Sequence, residues 1–476
     1  MMKNQLPRSF QAAFSVSVLL ALSACATTTQ YPSQSLQQAG MLSAEEVGAQ
    51  YQIDGNWWTI YQDPQLNQLV QTALHNNIDL RQAAITAEKA RYSANLAGAD
   101  LLPQGSGTLG ADVSKNIKNG GASDRSFSSR VGLSYELDVW QKVKATADAS
   151  AWEYRASEAD LAASRLSLIN SVVDAYFHLA YLDEAMALTQ KSITQYREIA
   201  RITQAQYQVG KVASINPTQA NQSLLSAQNS LINLTQTRNS VLQSLKNLLN
   251  VRPQDAFNVT PTKLASLPTT QVDLNIPLSV LANRPDLRAA EYRLQKAYAS
   301  QEAAKRSWYP SITLGAAVST SADKASNLFS IPIGAGTVSV NLPFLNWPTL
   351  HWQTKSAEAD FDSAKLSFEG ALTTSLNEVD TYYRQYTLSR DTLGNAEKKY
   401  AFDQKNSRYY RARYQYGANP LSDWLDALNT ELASAQTVLN NRYTVCKTKI
   451  WCINQWLGAT NPVKPDFRVY DASRID

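Results

Sequence analysis

The stretch Arg130-Val-Gly-Leu-Ser-Tyr-Glu-Leu-Asp-Val-Trp-Gln-Lys142 decides the fold. Val131, Leu133, Tyr135, Leu137 and Val139 fall on one side of an extended chain. Arg130, Gly132, Ser134, Glu136 and Asp138 fall on the other. Alternation with a period of two, sustained for about ten residues, suits a half-buried strand and is also the length a tilted strand needs to cross a bilayer. The adjoining segment separates the two readings. From Lys142 to Gln208 there is neither proline nor glycine and the pattern is helical. At ~1.5 Å per residue such a helix is ~100 Å long, about twice the thickness of a bilayer with its headgroups. A membrane-type strand therefore runs into a rod much longer than a membrane.

The remaining chain repeats this join. Thr108-Leu-Gly-Ala-Asp-Val-Ser114 returns as Thr313-Leu-Gly-Ala-Ala-Val-Ser319, and Asp79-Leu-Arg81 returns as Asp286-Leu-Arg288. Val173-Asp174 with Tyr176 returns as Val379-Asp380 with Tyr382, and Tyr207-Gln-Val-Gly210 as Tyr414-Gln-Tyr-Gly417. Four collinear matches at nearly one spacing are a tandem duplication, with units at about 66–272 and 273–460, a proline-marked connector (Pro253, Pro261, Pro268), and a tail at 461–476. Each unit reads as a helix (His75 to Ala99; Asp286 to Ser307), two strands (104–115 and 127–139; 311–320 and 335–345), a long helix broken at Gly210 or Gly417, and a return helix. The return helix of unit one carries a narrow stripe of Leu231, Leu234, Val241, Leu245 and Leu248 among Gln, Asn, Ser and Thr, which suits helices packed around a wet space.

Residues 1–24 have the form of an export signal: Lys3 and Arg8, then an apolar run from Ala12 to Leu22. Leu22-Ser-Ala-Cys25 matches the bacterial lipobox, which implies cleavage before Cys25, acylation of that cysteine, and a lipidated segment over 25–65. Ala26 in place of Asp implies sorting to the outer membrane. After Cys25 there is no uninterrupted apolar run of transmembrane-helix length, so the mature chain hangs on its lipid or spans as a barrel. Four strands cannot close a barrel, and open edges are not tolerated in lipid. Two copies would give eight strands and a filled interior; three would give twelve and a lumen, the better form for a channel.

Charge is nearly balanced at +4 with no basic stripe, which argues against nucleic acid as a partner. His75, His178 and His351 are far apart, and the sequence has no zinc-protease, P-loop or nucleophile-elbow motif, so neither catalysis nor a resident metal or cofactor is expected. A lipoprotein hydrolase or a structural coiled-coil spacer would leave the duplicated strands unexplained. Cys446 and Cys452, six apart on a continuous helix, would lie on different faces as small buried hydrophobes.

Several motifs resemble the outer membrane factor (TolC-type) family, most closely its lipidated OprM-type branch. They are the lipobox, Trp57-Trp58 with Asp63-Pro64, Tyr135-Glu-Leu-Asp138, Arg284-Pro-Asp-Leu-Arg-Ala-Ala290 and the turn from Gly417 to Ala427. The resemblance implies a mixed, mainly α fold: a homotrimer whose twelve-stranded outer-membrane barrel continues into a periplasmic α-helical barrel. It implies an exit duct that passively conducts drugs or other small toxic compounds, with a periplasmic membrane-fusion adaptor and an inner-membrane RND-type transporter as partners. Metal efflux and type I protein secretion are alternatives on the same fold. It also implies a periplasmic gate at Asp423, Asp426 and Tyr414, with Gly210, Lys211, Gly417 and Asn419 at the tip turns that dock the adaptor. Aspartates in a first helical turn also simply complement the helix dipole, with Asn419 as cap and Pro420 as first residue. Four features depart from the family pattern: Asn419 replaces a basic gate partner, Lys211 an apolar residue, Gln141 a glycine, and Trp456-Leu-Gly-Ala-Thr460 a glycine-rich run before Trp.

The lipobox has a direct test. Cys25→Ser should abolish incorporation of labelled palmitate, and continued labelling of that variant would refute the lipidation reading.

Overall fold

The computed structural model describes residues 56–115, 118, 123–267, 281 and 284–457, with side chains to 453. The export signal, Cys25 and the tail lie outside them. The order is α1 (Pro64–Asn76), α2 (Ile78–Ala99), β1 (Gln104–Ser114), β2 (Asp124–Leu137), α3 (Lys142–Gln208), α4 (Ile215–Leu248), α5 (Pro285–Arg306), β3 (Ser311–Ala322), β4 (Ile333–Asn341), α6 (Trp347–Gln415) and α7 (Leu421–Leu457). The two long helices have 67 and 69 residues. The duplicated pattern of helix, two strands, long helix and return helix is thus observed.

The chain forms two compact units, each drawn from both repeats. One contains residues 85–158 and 288–370 and holds the sheet. The other contains 56–84, 159–287 and 371–457 and holds the main apolar core. In that core Trp57, Trp58, Leu66 and Val70 pack with Val172, Val173, Tyr176 and Phe177 of α3, Leu245 of α4 and Ile450 of α7. Cys446 and Cys452 are free thiols, half-buried and buried, and Cys452 donates to the Tyr382 carbonyl. The α4 stripe is as narrow as its sequence suggests: Leu245 is buried, while Leu231, Leu234, Val241 and Leu248 are half-buried.

The helix expected from His75 to Ala99 begins at Ile78 as α2, and a separate helix, α1, precedes it. Asn77 breaks the run: its Oδ1 accepts the Leu80 amide, capping α2, while its Nδ2 donates to the Leu248 carbonyl at the end of α4. Asparagine satisfies both because its side chain carries an acceptor and a donor.

Asp63 is the polar centre of the second unit and is buried. Its Oδ1 accepts the amides of Gln65 and Leu66, capping α1, and its Oδ2 accepts Tyr176 Oη and Thr262 Oγ1, both at 2.6 Å. Burial alone would raise its pKa, but the hydrogen bonds from Thr262, Tyr176, Leu66 and Gln65 outweigh it and hold the carboxyl below its ordinary value. A depressed folded-state pKa means that stability is present above the unfolded pKa of about 3.9 and is lost as pH falls through the folded value. Asp63→Asn should therefore cost about 1.5–3 kcal/mol at neutral pH, with the deficit closing at acid pH. Thermal unfolding of parent and variant across pH 3–7 checks this; a deficit independent of pH would contradict the charge-based account.

Candidate functional site

The sheet has the order β1-β2-β3-β4, antiparallel throughout. Its register sorts side chains by face, because directly paired residues point the same way. Val131 pairs with Val318, Tyr135 with Leu314, Leu137 with Ile312, Ile312 with Val340 and Leu314 with Val338. Leu109 and Val113 of β1 share that face, and Leu109, Val113, Val131, Leu133, Val318 and Val338 are exposed in the single chain. The opposite face carries Thr108, Gly110, Asp112, Ser128, Arg130, Gly132, Ser134, Glu136, Thr313, Gly315, Ser319, Thr337 and Ser339. One face is mainly oily and the other mainly small and polar, apart from Arg130, Glu136 and Ile333, yet neither packs on a core as a soluble sheet would. The outer edges of β1 and β4 have no strand beside them among the described residues.

The joins between strand and helix are tightly bonded. Asp138 accepts the Val143 and Lys144 amides at 2.9 and 2.7 Å and so caps α3, and Glu136 pairs with Lys142 at 2.8 Å. Gln141 lies in the left-handed region, φ 57°. It adopts a conformation that suits glycine better than glutamine, and its carbonyl accepts Arg306 Nη1 at 3.0 Å. Trp140 stacks on Tyr309 and donates to the Pro310 carbonyl. At the second join Trp347 and Trp352 are exposed. Tryptophans at such a level suit a membrane–water interface.

The helical turns form the second feature. Gly210 and Gly417 have φ of +74° and +71° and end α3 and α6 in the same way. The Lys211 amide reaches back to the Gln206 carbonyl, and the Ala418 amide to Arg413, both at 2.8 Å, a helix stop that requires a left-handed residue. Each glycine follows an exposed apolar residue: Val209 at 70% and Tyr416 at 89% exposure. Beneath them Tyr196, Ile199, Ala220, Leu421, Leu425 and Leu428 tie α3, α4 and α7 together. Tyr414 donates to Gln206 Oε1 at 3.1 Å and packs against the Trp424 ring.

The structure brings Tyr414, Gly417, Asn419 and Lys211 to one groove of about 1060 Å³, which Ile202 and Trp424 also line. Asp423 meets the site through Asn419, and Asp426 stands on the same helix, exposed. Asn419 does not cap α7 as expected. The helix begins at Leu421, which leaves Pro420 in the capping position, and the Asn419 side chain bridges instead: Oδ1 accepts Arg413 Nε, and Nδ2 donates to Asp423 Oδ2 at 2.6 Å. Sequence patterning does not single out Arg413; the signal that points to it is its replacement of Gln206 at the matching position of repeat one.

The fold is that of a family of outer-membrane channels. The outer membrane efflux protein family matches residues 69–251 and 276–449, one match in each repeat, and the chain belongs to that family. Toxin and drug export protein A of Aggregatibacter actinomycetemcomitans is 41% identical over 405 residues, covering 85% of this chain and 89% of that protein. The pyoverdine export outer membrane protein OpmQ of Pseudomonas aeruginosa is 28% identical, covering 81% of this chain and 83% of its own. The outer membrane channel CmeC of Campylobacter jejuni superposes with a TM-score of 0.80 at 25% identity, covering 86% of this chain and 88% of CmeC.

The two faces of the sheet predict different reactivity. Cysteines placed at Val131, Leu133 and Leu137 should resist a water-soluble thiol reagent in membranes, whereas Ser134→Cys and Glu136→Cys should react. Equal labelling of both sets would rule out a lipid-facing surface.

Proposed function

We propose that this protein is the lipid-anchored exit duct of a tripartite pump, passively carrying drugs and other small toxic compounds across the outer membrane. The observation that carries this reading is the sheet, apolar on one face, polar on the other and, among the described residues, open at both edges. Three copies would pair β4 of each with β1 of the next, giving twelve strands whose polar faces line a lumen. The identity to a relative named for toxin and drug export supports the substrate class. The long helices, well in excess of a bilayer's thickness, would form the periplasmic tunnel.

The turns at Gly210 and Gly417 would be its periplasmic tips. Exposed Val209 and Tyr416, with the groove beside Lys211 and Asn419, suit the helical hairpin of a membrane-fusion adaptor that links the duct to an inner-membrane RND-type transporter. Around the threefold axis Tyr414, Asp423 and Asp426 would form the gate, and the paired carboxylates would favour cations. Cys25 would carry the lipid. Two experiments test the proposal. Deletion of the gene should lower the inhibitory concentrations of several unrelated drugs, with restoration from a plasmid; unchanged susceptibility to drugs would overturn the substrate class. In planar bilayers the purified protein should give small cation-selective currents blocked from the periplasmic side by hexamminecobalt(III). Asp423→Asn with Asp426→Asn should relieve that block without loss of assembly, and an equally blocked double variant would place the gate elsewhere.

A further inference from the structure

The two turns share a backbone but not their side-chain chemistry. In repeat two a continuous chain of polar contacts crosses from α6 to α7: Tyr409 Oη meets Arg413 Nη1 at 2.9 Å, Arg413 Nε meets Asn419 Oδ1, and Asn419 Nδ2 meets Asp423 Oδ2 at 2.6 Å. Ser422 Oγ adds a longer contact to Asp423 Oδ1 at 3.4 Å. The matching positions of repeat one are Ile202, Gln206, Val212 and Asn216, which carry no charge and cannot form this chain. Gln206 instead accepts from Tyr414. Asp423 is half-buried in this arrangement, whereas Asp426 is exposed and its carboxylate has no hydrogen-bond or ion-pair partner among the described residues.

We infer that Arg413 and Asn419 are positioning residues: the guanidinium, acting through the Asn419 amide, holds the Asp423 carboxylate back against its own turn. An amide can do this because it accepts at one end and donates at the other, so the cation polarises the bond its far side makes to the carboxylate. The two aspartates then differ in role. Asp423 braces the turn between α6 and α7, and Asp426 is the carboxylate left to solutes. The relay supplies, within one protomer, the counter-charge that a basic residue at position 419 would have supplied directly.

The inference rests on the proposed tip constriction, and block by hexamminecobalt(III) reads both separately. Loss of Arg413 removes a positive charge, so by itself it would strengthen cation block through simple electrostatics. Asn419→Leu changes no charge and is the discriminating variant. Breaking the relay there should release Asp423 towards the pore and lower the half-blocking concentration by about threefold or more, the low end of what one net hydrogen bond contributes. Adding Asp423→Asn to Asn419→Leu should return it to the parental value, and Arg413→Lys, which keeps the charge and a donor, should stay closer to the parent than Arg413→Leu, which keeps neither. In the otherwise unaltered protein, Asp426→Asn should relieve block much more than Asp423→Asn. A silent Asn419→Leu, or equal relief by the two single aspartate variants, would overturn the relay while leaving the constriction in place. A parent protein that is not blocked at all would overturn the constriction itself, and the inference with it.

Discussion

The backbone hydrogen bonds of β1 and β4 are the constraint on which the structure depends. Each strand is satisfied on its inner side and, among the described residues, open on its outer side. In water an open edge invites aggregation; in hydrocarbon it costs several kcal/mol per unpaired group. The apolar face of the sheet argues that hydrocarbon is its medium, so the edges must find partners, and identical copies supply them in matched numbers. Assembly is then a condition for insertion rather than an elaboration of a folded monomer. The small residues of the polar face are compatible with an open lumen, since they leave space where bulky side chains would fill it.

Duplication explains how one chain can make so regular an object, and divergence shows where regularity is not wanted. The helix stops at Gly210 and Gly417 match in their bonding, each closing with a 2.8 Å return bond. At the start of each repeat, by contrast, Asn77 and Arg284 occupy matching positions and do different work. Asn77 caps α2 and clasps α4, while Arg284 binds Asp286 at 2.7 Å and Glu378 at 2.9 Å. The turns diverge in the same manner, with a charged relay in one and neutral side chains at the matching positions of the other. The backbone of the ancestor was kept, and side-chain chemistry was free to distinguish the two halves.

Much of this is legible in the sequence because it is written in periodicity. Alternation across Arg130 to Leu137 marks a strand whatever surrounds it, and a run without proline or glycine from Lys142 to Gln208 leaves helix as the low-energy choice. The details that escape such reading depend on tertiary partners. Asn77 breaks a helix because Leu248 waits for its amide, and Asn419 forgoes its role as cap because Arg413 and Asp423 lie on either side. Gln141 keeps a glycine-like φ because Asp138 and Arg306 fix the residues and carbonyl around it. Propensity cannot reveal such contacts, since each joins residues whose proximity only the fold creates.

The central claim is that the free edges of β1 and β4 are joined between copies. The most direct measurement is disulfide trapping in intact outer membranes, with one cysteine in β1 and one in β4 scanned over successive registers. The account predicts a covalent ladder that ends at three chains, formed by cysteine pairs that alternate with strand period, and no ladder from either single-cysteine protein. A ladder that stops at two, or crosslinks within a single chain, would contradict it.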